Sequence, residues 1–277
     1  MTVRQLMSIP RTTAWLSGVA LLLAACAPLA PRSAAGSAVS LDFDAQRYEL
    51  RQVQVNGQTL AVRAYENIVY VAHPADARYE RMNVYVPEAY FKGESVAGFT
   101  ARTAPIFLPN EVGGYMPAEP GSLAGRSGPG GPPGGPGGLP AGVPVGAPPP
   151  GLDRPNTIAV ALSQGLVVAS PGARGRTEAL GKAPAAIVDL KAAVRYLRYN
   201  DARMPGDAER IISNGTSAGG ALSALLGASG NSADYEPWLA ELGAAPGRDE
   251  VFAVSAYCPI TNLEHADSAY EWLFAGF

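Results

Sequence analysis

One short stretch of this chain has the residue types and spacing for covalent acyl chemistry. In IISNGTSAGGALSALLG, residues 211–227, Ser217 sits inside the frame Gly215-Thr216-Ser217-Ala218-Gly219. A serine hydroxyl attacks a carbonyl when it is presented at a sharp turn, beside donors that take up the charge developing on the carbonyl oxygen. Glycine is abundant here, 32 of 277 residues, so the five-residue pattern alone carries little weight. Its setting carries more. Apolar Ile211 and Ile212 precede the serine and the helix-forming run Ala218 to Leu226 follows it, giving strand, turn and helix in that order. A serine at such a turn takes a strained backbone conformation, and Gly215, Gly219 and Gly220 remove the side-chain collisions it would create. The N–H of Ala218, at the helix start, then points toward a developing oxyanion. The plainer alternative is that Ser217 caps a helix.

An oxyanion hole of this type needs a second N–H, from the loop after an earlier central strand. In APIFLPNEVGGY, residues 104–115, a short apolar run ends in such a loop, and Gly113 or Gly114 is the candidate donor. An ordinary tight turn is the alternative for that glycine pair.

The elements around these residues set the fold class. Alternating apolar positions about Asn56-Gly57 predict a hairpin, with Val53 and Val55 opposite Leu60 and Val62. Further strands are expected at Ile68–Ala72 and Met82–Pro87, so the chain starts antiparallel. Its second half alternates. QGLVVASPG (164–172) predicts a buried strand, and Pro184 opens a helix with Ile187, Leu190, Val194 and Leu197 on one face. The serine segment follows, and VFAVSAYCPIT (251–261) is a last strand with Cys258 near its carboxyl end. Repeated strand and helix argue an α/β fold, a mostly parallel sheet with helices on both faces and antiparallel N-terminal strands.

Residues 1–25 are set apart as an export signal. Arg4 and Arg11 precede a short apolar run ending in Leu23-Ala24-Ala25-Cys26, which matches the bacterial lipobox and marks Cys26 for lipidation. Residues 26–40 form a tether, and a lipid-anchored, exported protein at the outer membrane is expected. The folded domain then covers 41–277. It is interrupted at about 125–151 by a Gly/Pro-rich insertion that buries too little apolar surface to order itself, with strands expected to resume directly after it. Of the two cysteines, lipidation of Cys26 leaves Cys258 alone, a packing residue or part of the site. A net charge of -3 with no basic stripe excludes nucleic acid as a partner. No cofactor and no metal is expected, because cysteines, histidines and carboxylates lack ligand spacing.

Several long segments in order, LSQGLVVASPGARGRT, KAPAAIVDLKAAVRYLRYND, ERIISNGTSAGGALSALLGASGN and AYCPITNLEHADSAYEW, together with APIFLPNEVGGYMP, resemble the bacterial tannases (subtype B tannin acyl hydrolases) and feruloyl esterases of the α/β-hydrolase superfamily. The resemblance runs from about Arg81 to Phe277 apart from the insertion. It implies Ser217 as nucleophile, Ala218 and the Gly113-Gly114 loop as oxyanion donors, and galloyl or related phenolic esters as small-molecule substrates. A general carboxylesterase or peptidase of the same fold is the alternative within that chemistry. A non-catalytic lipid-anchored protein binding polyphenol or envelope components is the alternative outside it.

A catalytic acid and histidine follow the serine in this superfamily. The two histidines are His73, before the serine, and His265, only 48 positions after it. In the family the matching segment of His265 lies beside the site and the triad partners come later, so His265 is expected to be an exposed helical residue. Asp234 and Asp249 end no recognisable strand and are set aside, and Lys182 and Asp189 read as structural. Arg174 and Arg176 follow a central strand and are either ligand contacts or solvated loop charges. AYEWLFAGF (269–277) stops within an apolar helical pattern. The sequence therefore reads as the front part of a longer enzyme, with little or no esterase activity by itself.

Overall fold

The computed structural model describes residues 39–124, 156–262 and 264–265. The expected export signal, most of the expected tether, the Gly/Pro-rich insertion and the terminal apolar pattern lie outside them. Strand β1 (Glu49–Val55) and strand β2 (Gln58–Val69) form the expected hairpin, with Val53 opposite Leu60. Asn56 and Gly57 carry φ of 50° and 75° at the turn. Positive φ at both central positions matches the right-handed twist of the flanking strands, which explains the Asn-Gly pair.

β2 continues further than expected. Ile68 and Val69 are not a new strand but the end of β2, pairing with Met82 and Arg81 of β3 (Arg81–Pro87) after a register shift between Tyr65 and Ile68. Asn67 lies in this bulge at φ 61°, its N–H donating to Asn83 Oδ1 at 2.9 Å. The extra residue lets one long strand bend and keep pairing.

The sheet is completed by β4 (Pro105–Pro109), β5 (Val167–Pro171), β6 (Asp207–Thr216) and β7 (Ala253–Tyr257), in the spatial order β1-β2-β3-β5-β4-β6-β7. β1, β2, β3 and β5 pair antiparallel in turn, whereas β5, β4, β6 and β7 are mutually parallel. The mixed α/β sheet is as expected. One element differs: Thr157–Ser163, directly after the insertion, is helix α1 and not a strand, with Asn156 accepting from the Ile158 N–H at 2.8 Å as its cap.

Helices cover both faces because the strands alternate. Val84, Val86, Val167 and Ala169 point into one cluster with Ile187, Leu190, Val194 and Leu197 of α2 (Ala185–Tyr199) and Leu222 and Leu226 of α3 (Ala218–Ala228). Tyr85 and Val168, one residue out of phase, join Val53, Val62 and the α1 residues Ile158 and Leu162 on the other face. Each fully buried aliphatic side chain contributes about 1.5–3 kcal/mol. Buried ion pairs centred on Asp249 and on Arg174 cross this interior. Asp249 accepts from Lys191 Nζ at 2.7 Å and Arg195 Nε at 2.9 Å, tying α2 to the segment before β7. Arg174 pairs with Asp189 of α2, its Nη2 lying 2.6 Å from Oδ1.

Candidate active site

Ser217 stands between the last residue of β6 and the first of α3, at φ 57° and ψ −120°. This combination is nearly forbidden for a residue with a Cβ and persists only where the surroundings dictate it. Three contacts do so. Its N–H donates to the Tyr257 carbonyl at 2.9 Å, at the end of the neighbouring strand. Its own carbonyl accepts from the Ala221 N–H at 2.9 Å, starting the α3 ladder. Its flanks are too tight for side chains: a Cβ at Gly215 would lie 2.3 Å from the Gly219 oxygen, and one at Gly220 would lie 2.6 Å from the Tyr257 oxygen. The hydroxyl makes no capping hydrogen bond to α3. A helix cap therefore does not explain the serine, which stays partly exposed at the carboxyl ends of the parallel strands.

The loop after β4 runs beside this turn. Asn110, buried at its root, donates its amide toward the carbonyls of Asn214 at 3.0 Å and Gly219 at 3.1 Å and the Ser223 hydroxyl at 3.0 Å, and its Oδ1 accepts from the Val112 N–H at 3.4 Å. Gly113 and Gly114 follow, both exposed, with Gly114 at φ 58°. Among the described residues neither donates its N–H to a backbone carbonyl. The Gly113 oxygen instead accepts from the Met116 N–H at 3.0 Å, closing the turn.

The loop after β5 braces the glycine pair from outside. Arg176 Nε donates to the Gly114 carbonyl at 2.8 Å, its backbone N–H donates to the Tyr115 carbonyl at 2.8 Å, and Lys182 Nζ donates to the Arg176 carbonyl at 2.6 Å. A Cβ at Gly175 would sit 2.0 Å from the Pro117 nitrogen, so the two loops stack backbone on backbone. The alternatives for the two arginines separate here. Arg174 is internal, bonded to Asp189 with Glu80 Oε1 at 3.4 Å, while Arg176 is exposed and shapes the loop. Burial pushes the Glu80 carboxyl up to about 7, reinforced by the Asp189 carboxylate and opposed by Arg174 and the Asp76 N–H. Burial raises Asp189 as well, against the hydrogen bonds of Arg174. Two carboxyl groups facing one guanidinium hold a proton into the neutral range.

Comparison with known proteins identifies the architecture. The BD-FAE family model matches residues 152–271. The tannase of Fusobacterium nucleatum is 53% identical at a TM-score of 0.73, over 86% of this chain and 46% of that one. A tannin acyl hydrolase solved with ethyl gallate is 50% identical at a TM-score of 0.72, over 86% of this chain and 48% of its own. The chain is similar to the tannases in sequence and in fold. The tannase of Lactobacillus plantarum agrees, at 50% identity and a TM-score of 0.72, over 86% of this chain and 47% of that one. The chain thus spans less than half the length of the tannases it matches. No curated protein matches the sequence.

Within this tannase frame the remaining candidates fall into place. Cys258 is exposed at φ 46° just after β7. Asp249 is locked between Lys191 and Arg195, and Asp234 faces the Ser232 hydroxyl at 3.1 Å in a short turn. His73 and His265 are both exposed, and His265 lies in a turn, not a helix, its N–H donating to Asn262 Oδ1 at 3.2 Å. Among the described residues no cluster of His, Cys, Asp or Glu could hold a metal ion. No helix among them is long and apolar enough to cross a membrane. Cys26 lies outside the described residues. The sequence did not reveal the part of Asn110 in the site, and it left open whether Arg176 was a ligand contact or a solvated charge, where the structure has it bonded to the Gly114 carbonyl.

Proposed function

We propose that this chain carries the nucleophile of a serine esterase that cleaves galloyl and related phenolic acid esters. The observation that supports it is the backbone of Ser217, φ 57° and ψ −120°, at a strand–helix junction of a tannase fold. Strain of this kind concentrates where a side chain must be presented to a reactant. In this mechanism Ser217 Oγ adds to the ester carbonyl as its proton passes to a general base. The Ala218 N–H and an N–H of the Gly113-Gly114 pair take up the oxyanion charge. Collapse expels the alcohol, which receives the proton, and leaves an acyl-serine that water cleaves to the free acid. The base and the acid that orients it are assigned to sequence outside these residues, which span under half of the matched tannases. The bound ethyl gallate of one relative supports an aromatic acyl group as the substrate's acid side.

The test uses the product of the full open reading frame. Ethyl gallate hydrolysis that exceeds hydrolysis of p-nitrophenyl acetate or a peptide, and that disappears in Ser217→Ala, is the expected result. Activity retained in Ser217→Ala would overturn it.

We further propose that Cys26 carries a diacylglyceryl anchor and that the protein is exported to the outer membrane, with 26–40 as tether and 41–277 as the enzyme domain around an insertion at about 125–151. The Leu-Ala-Ala-Cys run supports this. Mass spectrometry of the mature amino terminus would show a lipidated cysteine; an unmodified terminus would overturn it.

A further inference from the structure

We propose that Asn110 is a positioning residue for acyl transfer: its side-chain amide fixes the spacing between the serine turn and the oxyanion loop. This inference rests on the reading of Ser217 as nucleophile. The two donors assigned to the oxyanion sit on different segments, Ala218 on α3 and the glycine pair on the loop after β4. Their separation is set by whatever joins those segments. Asn110 does so where the segments meet. Its backbone N–H donates to the Asn214 carbonyl at 2.9 Å, extending the β4–β6 ladder one step past the strand. Its amide then reaches across the turn to carbonyls on either side of Ser217 in the chain, Asn214 before and Gly219 after, and to Ser223 one turn further along α3. On its other side Oδ1 faces the Val112 N–H, one residue before the glycine pair.

The glycines flanking the serine support this. A Cβ at Gly215 would lie 2.7 Å from Asn110 Nδ2, and a Cβ at Gly219 would lie 2.5 Å from Asn110 Oδ1 and 2.8 Å from the Val112 carbonyl. Relief of the turn itself accounts for only part of the glycine frame. The rest is the slot that the asparagine amide fills. An amide is suited to this slot because it donates twice and accepts at the same site, and its donors meet the Asn214 and Gly219 carbonyls while its oxygen faces the Val112 N–H.

Such a link acts on the transition state more than on the bound ester. The donors must meet the oxyanion within a fraction of an ångström, and a misplacement of about 1 Å costs on the order of 100-fold in rate. Ground-state binding through the rest of the substrate does not depend on it.

The experiment compares wild type, Asn110→Ala, Asn110→Ser and Ser217→Ala as products of the full open reading frame, with active sites counted by complete titration with a fluorophosphonate. The expected result for Asn110→Ala is a fall of about 10- to 100-fold in kcat per titrated site on ethyl gallate, a similar fall in the fluorophosphonate rate, and KM within about twofold of wild type. Asn110→Ser, which keeps one donor, is expected between the two and carries the test should Asn110→Ala fail to fold. A merely structural role lowers the number of titratable sites and leaves kcat per site unchanged, and that result overturns the proposal. If wild type itself is neither labelled nor active, the nucleophile reading falls and the positioning role with it. If wild type is labelled at Ser217 and the Asn110 variants react equally fast, only the positioning role falls.

Discussion

The backbone N–H of Ser217 donates to the carbonyl of Tyr257 at 2.9 Å, so the strained residue is held by the neighbouring strand as well as by its own helix. The end of β7 therefore serves as a wall of the serine turn. Gly220 is where that wall comes closest, because a Cβ there would lie 2.6 Å from the same Tyr257 oxygen.

Gly220→Ala tests this wall. An alanine inside a helix is intrinsically favoured over glycine by about 1 kcal/mol. Here the backbone clash outweighs that preference, and a net destabilisation of about 1–3 kcal/mol is expected. Urea unfolding of the variant measures it. A variant as stable as wild type, or more so, would show that β7 does not constrain the turn.

Arg176→Ala removes the guanidinium that donates to the Gly114 carbonyl. The expected consequence is a drop of about tenfold in kcat on ethyl gallate, because the loop donors lose their orientation. Arg176→Lys should recover little, since an ammonium lacks the planar fork. Steady-state kinetics of both variants decide the matter; a change confined to KM would instead make Arg176 a substrate contact.

The buried Glu80 predicts a pH dependence of stability. Its carboxyl is pushed up to about 7 by burial, with the Asp189 carboxylate adding to the effect, whereas in the unfolded chain it titrates near 4.5. Between those values the native state keeps a proton that the unfolded state has released, so stability falls as pH rises across that window. The contribution is fully present below 4.5 and lost as pH passes about 7. Glu80→Gln removes the titration, and its melting temperature should be flatter than wild type from pH 5 to pH 8. Parallel pH profiles of the two proteins would contradict this.

Asp249 follows the serine in chain order, as a triad acid would, yet its neighbours give it another role. Burial raises its pKa, but hydrogen bonds from Lys191, the Asn231 N–H and Arg195 outweigh burial and hold it below the usual carboxylate range. Asp249→Asn should cost about 3–5 kcal/mol by leaving two buried cations short of charge. The fluorophosphonate rate per folded molecule should not change. A rate collapse in folded Asp249→Asn would return it to the catalytic machinery.

What the sequence revealed was local. Asn56-Gly57, Pro184 and the glycine frame of Ser217 each announce a backbone conformation within a few residues, and the hairpin, α2 and the serine turn form there. α1 was hidden because seven apolar-rich residues show no usable period, leaving Asn156 as the only cue. Asn110 was hidden for a different reason. Its partners lie 104, 109 and 113 positions away, and nothing in the residue type marks it among loop asparagines. The ambiguity of Arg174 likewise required the fold, which brings Asp189 beneath it.

The most direct test of the account is peptide mass mapping of the full open reading frame product after reaction with a fluorophosphonate. The account predicts a phosphonyl adduct on Ser217 and on no other serine, with protection by ethyl gallate. An active protein whose adduct lies on a different residue, or whose Ser217 stays unmodified after complete inactivation, would contradict it.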